Sequence, residues 1–163
     1  MTKFVVGVMG PGGGARDEDL SNARELGKLI GEEGWVVLSG GRNAGVMDAV
    51  SRGAKDAGGL VVGVLPTADR SGCSDAVDIA IVTDMGNARN NINVLSSDVV
   101  VACGMGPGTA SEVALALKSQ KPVVLLNTGA DSEKFFGDLC PDRVLTASTP
   151  EQAIEIIKQI ARE

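Results

Sequence analysis

Three glycine-rich segments each follow a short run of apolar residues: GPGGGA at 10–15, SGGRNAG at 39–45 and GMGPGT at 104–109. Glycine lets a ligand approach the backbone closely, and a helix that begins after such a loop offers unpaired N–H groups and the positive end of its dipole. Both features favour an anion. Because the dipole contributes only ~0.3–1 kcal/mol, a phosphate held there also needs several N–H bonds or a cation.

Two arginines are candidates for that cation. Arg42 lies inside the second glycine segment, and Arg89 lies in MGNARNNIN at 85–93, which follows another apolar run. One bidentate arginine outweighs the helix dipole, because a charge-assisted hydrogen bond contributes ~1.5–3 kcal/mol. The alternative for both residues is an ordinary solvated arginine on the surface.

Glu112 follows the third glycine segment. We expect it in the first turn of the helix that Pro107 and Thr109 begin, where the dipole favours a carboxylate that reaches back towards the loop. One interpretation is simple capping. The other pairs Glu112 with Arg89, as an acid–base group or as an acceptor for ligand N–H groups.

The sequence disfavours several kinds of chemistry. It contains neither a GxxxxGK[ST] segment nor a GxGxxG segment in dinucleotide register, so ATP hydrolysis and NAD chemistry are disfavoured. It has no histidine, which removes an imidazole base, and its cysteines (Cys73, Cys103 and Cys140) have no CxxC spacing. We expect no metal ligands from protein side chains and a buried, apolar role for Cys103.

The elements that position the glycine segments are predicted by seven apolar runs without polar alternation: FVVGVM, WVVLS, LVVGVL, DIAIV, DVVVAC, PVVLL and RVLTA. We expect strands buried on both faces, alternating with helices, of which the last begins at Thr149 and Pro150. The pattern predicts a single α/β domain over 1–163, a Rossmann-like three-layer sandwich. Its mostly parallel sheet of about seven strands has helices on both faces and a ligand crevice at the carboxyl ends of the strands. The polar loop 66–76 is a candidate flap.

Composition restricts the partners. The net charge of −6 disfavours nucleic acid, and no apolar run reaches the roughly 18 residues that span a membrane. The opening MTKFVVGVMG reaches glycine too early for a signal peptide. We therefore expect a cytoplasmic protein whose partners are small molecules or other proteins.

Residues 104–112, GMGPGTASE, resemble the PGGxGTxxE signature of the superfamily that includes the Lonely Guy phosphoribohydrolases, and SGGRNAGVM at 39–47 is similar to its GGGxxGLM segment. The resemblance covers nearly the whole chain and implies that Arg89 and Glu112 cleave the N-glycosidic bond of nucleoside 5′-monophosphates. The chain departs from these hydrolases in having Gly104-Met105 for Pro-Gly, Asn87-Ala88-Arg89-Asn90 for His-Glu-Arg-Lys, and Arg42 for a glycine.

A longer resemblance is to the molybdenum cofactor carrier branch. It rests on VMGPG at 8–12, SGGR at 39–42, and GMGPGTASEVALALKSQKPVVLLNT at 104–128 with EKFF after it. The resemblance implies a non-catalytic homotetramer that binds molybdenum cofactor, shields it from oxidation and passes it to apo-molybdoenzymes. The departures from the hydrolases favour this function over a phosphoribohydrolase or a nucleotide-sensing module without turnover, which remain the alternatives.

Molybdenum cofactor is a pterin with a terminal phosphate, which suits the glycine segments. We expect the phosphate on the N–H groups of Gly106 to Thr109, with Arg42 or Arg89 assisting, and the pterin beside Asn87 and Asn90. The full predicted binding set is Gly10, Pro11, Gly12, Ser39, Gly40, Gly41, Arg42, Asn87, Arg89, Asn90, Gly104, Met105, Gly106, Pro107, Gly108, Thr109 and Glu112.

Overall fold

Seven parallel strands form the central sheet in the computed structural model, which describes residues 2–162. The strands are β1 Val5–Met9, β2 Val36–Ser39, β3 Leu60–Leu65, β4 Ile79–Val82, β5 Val99–Cys103, β6 Val123–Leu126 and β7 Val144–Ala147. Each lies within one of the seven apolar runs, so the strand prediction is confirmed.

Helices cover the sheet and connect the strands except β3 and β4, which a loop over 66–78 joins, so the predicted alternation of strands and helices is wrong at this one connection. The helices are α1 Asp17–Glu32, α2 Gly45–Asp56, α3 Arg89–Leu95 after a 3₁₀ turn at Gly86–Ala88, α4 Pro107–Lys118, α5 Ala130–Leu139 and α6 Pro150–Ile160. The start of α6 is as predicted, with the Thr149 hydroxyl accepting the Gln152 N–H at 3.3 Å. The predicted α/β Rossmann-like fold is confirmed.

The side chains of successive strand residues enter two separate hydrophobic cores, because they alternate between the faces of the sheet. Val6 and Val8 of β1 pack with α1, α2 and α6 on one face. Met9 packs with α3, α4 and α5 on the other. The sheet is therefore the middle layer of the predicted three-layer sandwich.

The position of β1 in the sheet determines where a ligand can bind. The strand order is β4-β3-β2-β1-β5-β6-β7, and β1 pairs with β2 on one side and with β5 on the other. The connections leaving β1 and β5 therefore run to opposite faces of the sheet and separate at their carboxyl ends. A crevice opens at such a topological switch point.

The prediction that every strand is buried on both faces is wrong for the sheet edges. In β4, Ile79, Ile81 and Val82 are between 40% and 49% exposed, and Leu145 of β7 is 41% exposed. Each of these strands has a neighbour on one side only, β3 or β6. Apolar composition alone cannot distinguish a central strand from an edge strand.

Helices α1 and α2 approach each other so closely that glycine is required at the crossing. A Cβ atom added at Gly53 would overlap the carbonyl oxygen of Arg24, and one at Gly27 would overlap the carbonyl oxygen of Val50. Since α1 and α2 follow the first and second glycine segments, this contact fixes the two loops relative to each other.

We expect Gly53→Ala to lower the free energy of unfolding by about 1–3 kcal/mol, because the added methyl forces the two helices apart. Urea denaturation followed by circular dichroism measures this change. Gly137→Ala is the matched control, because Gly137 lies inside α5 with open space around its Cα. It should be neutral or stabilising by ~0.5–1 kcal/mol. Equal losses in the two variants would contradict the role given to the helix crossing.

Candidate ligand-binding site

The three glycine segments meet at one cavity of about 450 Å³ at the carboxyl ends of β1, β2 and β5. This volume is in the range of small-molecule sites. The cavity is lined by Val8, Met9, Gly10, Pro11, Gly12, Gly14, Gly40, Arg42, Met47, Asn87, Arg89, Asn90, Met105, Gly106, Pro107, Gly108, Thr109 and Glu112.

All but three of the residues predicted for the site line this cavity. Ser39 is fully buried and accepts the Gly41 N–H through its hydroxyl at 3.1 Å. Gly41 packs on Gly63, and Gly104 packs on the carboxylate of Asp19. These three residues are not part of the cavity wall. They support the glycine loops from the side that faces away from the cavity.

Sequence reasoning missed four lining residues, Val8, Met9, Gly14 and Met47, and also the buried partner Asn93. Val8 and Met9 belong to a core strand, and nothing in their type separates them from its other residues. A signal for Met47 was present, since it lies in the first turn of the helix that begins at Gly45, directly after the second glycine segment.

The three helix starts differ in how far their N–H groups are already paired. At the start of α1, the buried carboxylate of Asp19 accepts the Arg16 N–H at 3.0 Å. At the start of α2, the Val46 N–H donates to the Pro11 carbonyl at 3.0 Å. At the start of α4 the first turn has no acidic residue, and the N–H groups of Gly106, Gly108 and Thr109 have no partner within residues 2–162. Of the three, α4 therefore offers the open anion seat.

Arg89 is buried at the cavity wall and held in place by β3. Its Nη1 donates to the Val64 carbonyl at 2.7 Å, and a Cβ atom at Gly40 would overlap that same nitrogen. Burial lowers the pKa of Arg89, and the Arg42 charge acts in the same direction while Glu112 opposes it. Two cations thus face one cavity, which favours an anionic ligand.

Glu112 is not a cap, which corrects the expectation that it lies in the first turn. It is the sixth residue of α4 and only 8% exposed. Asn93 donates through Nδ2 to Glu112 Oε1 at 3.2 Å. Burial raises the pKa of Glu112 to about 7, although the Asn93 hydrogen bond and the Arg89 charge both lower it. A carboxyl group that titrates near neutrality is typical of functional sites.

Arg89 and Glu112 lie in the same wall without a direct ion pair among residues 2–162, and act on each other only through their charges. Within the same residues five buried side-chain atoms have no hydrogen-bond partner. Two of them, Asn127 Nδ2 and Thr128 Oγ1, follow β6, and the other three belong to the cavity wall or to its partner Asn93: Arg89 Nε, Asn93 Oδ1 and Thr109 Oγ1. Buried polar groups are ordinarily paired. Their concentration around this cavity indicates a place for a polar ligand.

The 66–76 loop, a candidate flap from its sequence, is hydrogen-bonded to the second glycine segment. Asn43 N–H donates to the Gly72 carbonyl at 2.7 Å, and Ser74 N–H donates to the Gly41 carbonyl at 2.9 Å. The Ser74 hydroxyl also donates to Asp48 of α2 at 2.6 Å. The loop therefore braces the Arg42 side of the cavity.

Other side chains bear on the function as follows. Cys103 is fully buried in the core, which confirms its predicted burial, and its Sγ donates to the Asp19 carbonyl at 3.4 Å. Within residues 2–162 no group of three or more His, Cys, Asp or Glu side chains could hold a metal ion. In the same part of the chain, none of the helices is both long and apolar enough to cross a membrane.

We expect Glu112→Gln to stabilise the protein at pH 8 but much less at pH 5. The pKa of Glu112 rises from an ordinary 4.5 to about 7 on folding. The wild-type protein therefore loses stability progressively as the pH rises through this window and the buried carboxyl group ionises. The gain at pH 8 relative to pH 5 should be about 2 kcal/mol by urea denaturation. Glu155→Gln, at an exposed position of α6, should show no such pH dependence. An E112Q variant that loses stability at pH 8 would contradict the proposed cost of ionisation.

Comparisons with known proteins agree with the geometry. The profile of the SLOG cluster4 family matches residues 3–154. A molybdenum cofactor binding protein from the phototrophic bacterium Rippkaea orientalis is 61% identical with a TM-score of 0.97, over 99% of both chains. The molybdenum cofactor carrier protein from Chlamydomonas reinhardtii is 54% identical with a TM-score of 0.94, over 99% of this chain and 100% of that one.

Hydrolases are more distant relatives. A cytokinin riboside 5′-monophosphate phosphoribohydrolase from Rhodococcoides fascians is 30% identical, over 91% of this chain and 84% of its own length. Both resemblances noted in the sequence are thus confirmed, and the carrier resemblance is the stronger in identity. The chain belongs to the SLOG cluster4 family and is a homologue of the molybdenum cofactor carrier proteins.

Proposed function

We propose that this protein binds molybdenum cofactor, protects it from oxidation and passes it on without catalysis. The observation that carries the proposal is the open N-terminus of α4 in a cavity that two arginines face. The similarity of the chain to carrier homologues, over 99% of its length, supports this function over others that a Rossmann-like fold can host.

The phosphate is held on the N–H groups that α4 leaves unpaired. Pro107 has no N–H, so the donors are those of Gly106, Gly108 and Thr109. Pro107 and Gly108 are exposed, so the phosphate sits at the mouth of the cavity, where its hydration is partly retained. Arg42, also exposed, adds a charge-assisted bond at this mouth.

The rest of the cofactor extends inward from this mouth, between the walls. The exposed Asn87 and the half-buried Asn90 supply polar groups beside the pterin, and the half-buried Met47 and Met105 offer a soft, apolar surface to the sulfur-bound molybdenum. Enclosure by these walls limits access of water and oxygen to the dithiolene. The protein would protect its cargo by covering it.

The proposal extends to the partners that the carrier resemblance implies. The cofactor is transferred to apo-molybdoenzymes in the cytoplasm, and the carrier is a homotetramer. Apolar side chains exposed beyond the cavity, such as Ile79, Ile81 and Leu95, are available for contacts between copies.

A phosphoribohydrolase is the second candidate, because one observation favours it. Glu112 has a pKa of about 7 and lies in the same cavity as Arg89, an arrangement suited to acid–base catalysis. Against it stand Arg42, in place of a glycine of the hydrolases, and the loss of a histidine and a lysine beside Arg89. A nucleotide-sensing module would use the same phosphate seat without turnover.

The decisive experiment is anaerobic purification from cells that make molybdenum cofactor, followed by assays of molybdenum and of the fluorescent oxidised pterin. We expect both to copurify with the protein, and no adenine to be released on incubation with AMP. Adenine release without bound pterin would overturn the carrier function and establish the hydrolase. Tight AMP binding with neither pterin nor turnover would favour the sensing module.

We expect Arg42→Ala to weaken binding of the phosphorylated, oxidised pterin by about 10- to 100-fold, because a charge-assisted bond is lost. Fluorescence titration measures the dissociation constant. The phosphatase-treated pterin should bind the variant and the wild type equally, since it lacks the group that Arg42 contacts. Arg162→Ala, at an exposed position beyond α6, is the matched control for the change in net charge. Unchanged affinity in Arg42→Ala would remove Arg42 from the phosphate site.

A further inference from the structure

The carboxylate of Glu112 accepts fewer hydrogen bonds from the protein than its two oxygens allow. Glu112 is only 8% exposed, yet its side chain has a single hydrogen bond within residues 2–162, which Asn93 donates to Oε1. Oε2 has no partner within residues 2–162 and is not among their buried unpaired atoms, so it meets the open cavity that Glu112 lines, while Arg89 acts on the carboxylate only through its charge. A buried carboxylate is costly unless it is paired and hydrogen-bonded. Its position in the cavity wall indicates that the missing donors belong to the ligand.

The charged groups around Glu112 define what those donors can be. Arg89 and the amide of Asn93 face it from α3, Arg42 lies beyond Arg89 on the β2–α2 loop, and the glycine segment at 10–14 brings no charge. A phosphate beside Oε2 would place two anions together in a buried site. An uncharged group with N–H donors avoids this repulsion.

Depth along α4 separates the two ends of the cofactor. Pro107 and Gly108 at the helix start are exposed, whereas Thr109 and Glu112 are buried. The phosphate therefore belongs at the exposed start, and the uncharged heterocycle belongs at the buried end. The amino-pyrimidinone end of a pterin carries a 2-amino group and a ring N–H side by side, followed by a carbonyl oxygen.

We propose that Glu112 is the residue that selects the pterin, accepting hydrogen bonds from its 2-amino group and ring N–H while Arg89 donates to the neighbouring carbonyl oxygen. Asn93 orients the carboxylate by occupying Oε1. The inference rests on the proposed carrier function. It identifies the amino-pyrimidinone end of the pterin as the part of the cofactor that the buried wall binds. It gives the Arg89 and Glu112 pair a role in recognition without bond cleavage.

Protonation of Glu112 then opposes binding. Because the pterin donors require the ionised carboxylate, affinity should rise with pH through the free-site pKa of about 7, until the ring N–H of the pterin itself deprotonates at higher pH. At pH 6 only about a tenth of the sites are ionised, so affinity should be about tenfold weaker there than at pH 8. Binding below pH 7 should release a proton.

The test compares 6-hydroxymethylpterin with 6-hydroxymethyllumazine, neither of which carries a phosphate. Lumazine replaces the 2-amino group by a carbonyl oxygen, which would face Oε2. We expect wild-type protein to bind the pterin at least about tenfold more tightly than the lumazine at pH 8, by titration calorimetry. E112Q should lose both the preference for the pterin and the pH dependence, because its amide oxygen still accepts from Asn93 and the amide nitrogen that then faces the ligand only donates. Glu155→Gln should behave as wild type.

Each other outcome overturns the inference. Equal wild-type affinities, no binding of either compound at its solubility limit, or a preference retained in E112Q would remove Glu112 from pterin recognition. Wild-type protein in the same preparation is also assayed for copurified molybdenum and pterin. If the cofactor copurifies but the preference is absent, the inference fails and the carrier function stands. If the cofactor does not copurify, the proposed function fails as well.

Discussion

The site depends on β1 lying in the middle of the sheet with β2 on one side and β5 on the other. A strand order that placed β1 at the edge would send its glycine segment away from the one that precedes α4. Instead, the loops after β1, β2 and β5 converge, and the contact between α1 and α2 at Gly27 and Gly53 fixes the first two relative to each other. The cavity is thus a product of backbone packing, and side chains only refine it.

The three glycine loops are not equivalent once folded. In two of the helices that follow them, one N–H group at the helix start is already paired, with Asp19 in one case and with the Pro11 carbonyl in the other. The third, at Gly106, has neither. A folded protein rarely leaves such donors unpaired without a ligand or solvent to satisfy them. This difference distinguishes the start of α4 from the other two helix starts as the place for an anion.

Much of this arrangement could be predicted from the sequence. The seven apolar runs locate every strand, and the glycine segments locate the rim, because both signals are local. What could not be predicted depends on tertiary neighbours. The apolar composition of β4 is typical of a central strand, but β4 lies at the edge of the sheet. The position of Glu112 in the sequence suggests a cap, but Glu112 lies one turn further along α4 and accepts a hydrogen bond from Asn93 of α3. Asn93 belongs to the site through packing that no spacing in the chain encodes, whereas the position of Met47 after the second glycine segment was a signal that could have been used.

The bracing of the 66–76 loop has a kinetic meaning for a carrier. Gly72 and Ser74 tie this loop to the second glycine segment, so the wall beside Arg42 is in place before the ligand arrives. Where the wall is already in place, the residence time of the cargo is set by the strength of its contacts. At an ordinary association rate of ~10⁶ M⁻¹s⁻¹, a Kd of ~10 nM corresponds to a residence of about a hundred seconds. Tighter contacts would lengthen storage and slow delivery in equal proportion, because the same contacts that retain the cargo also delay its transfer.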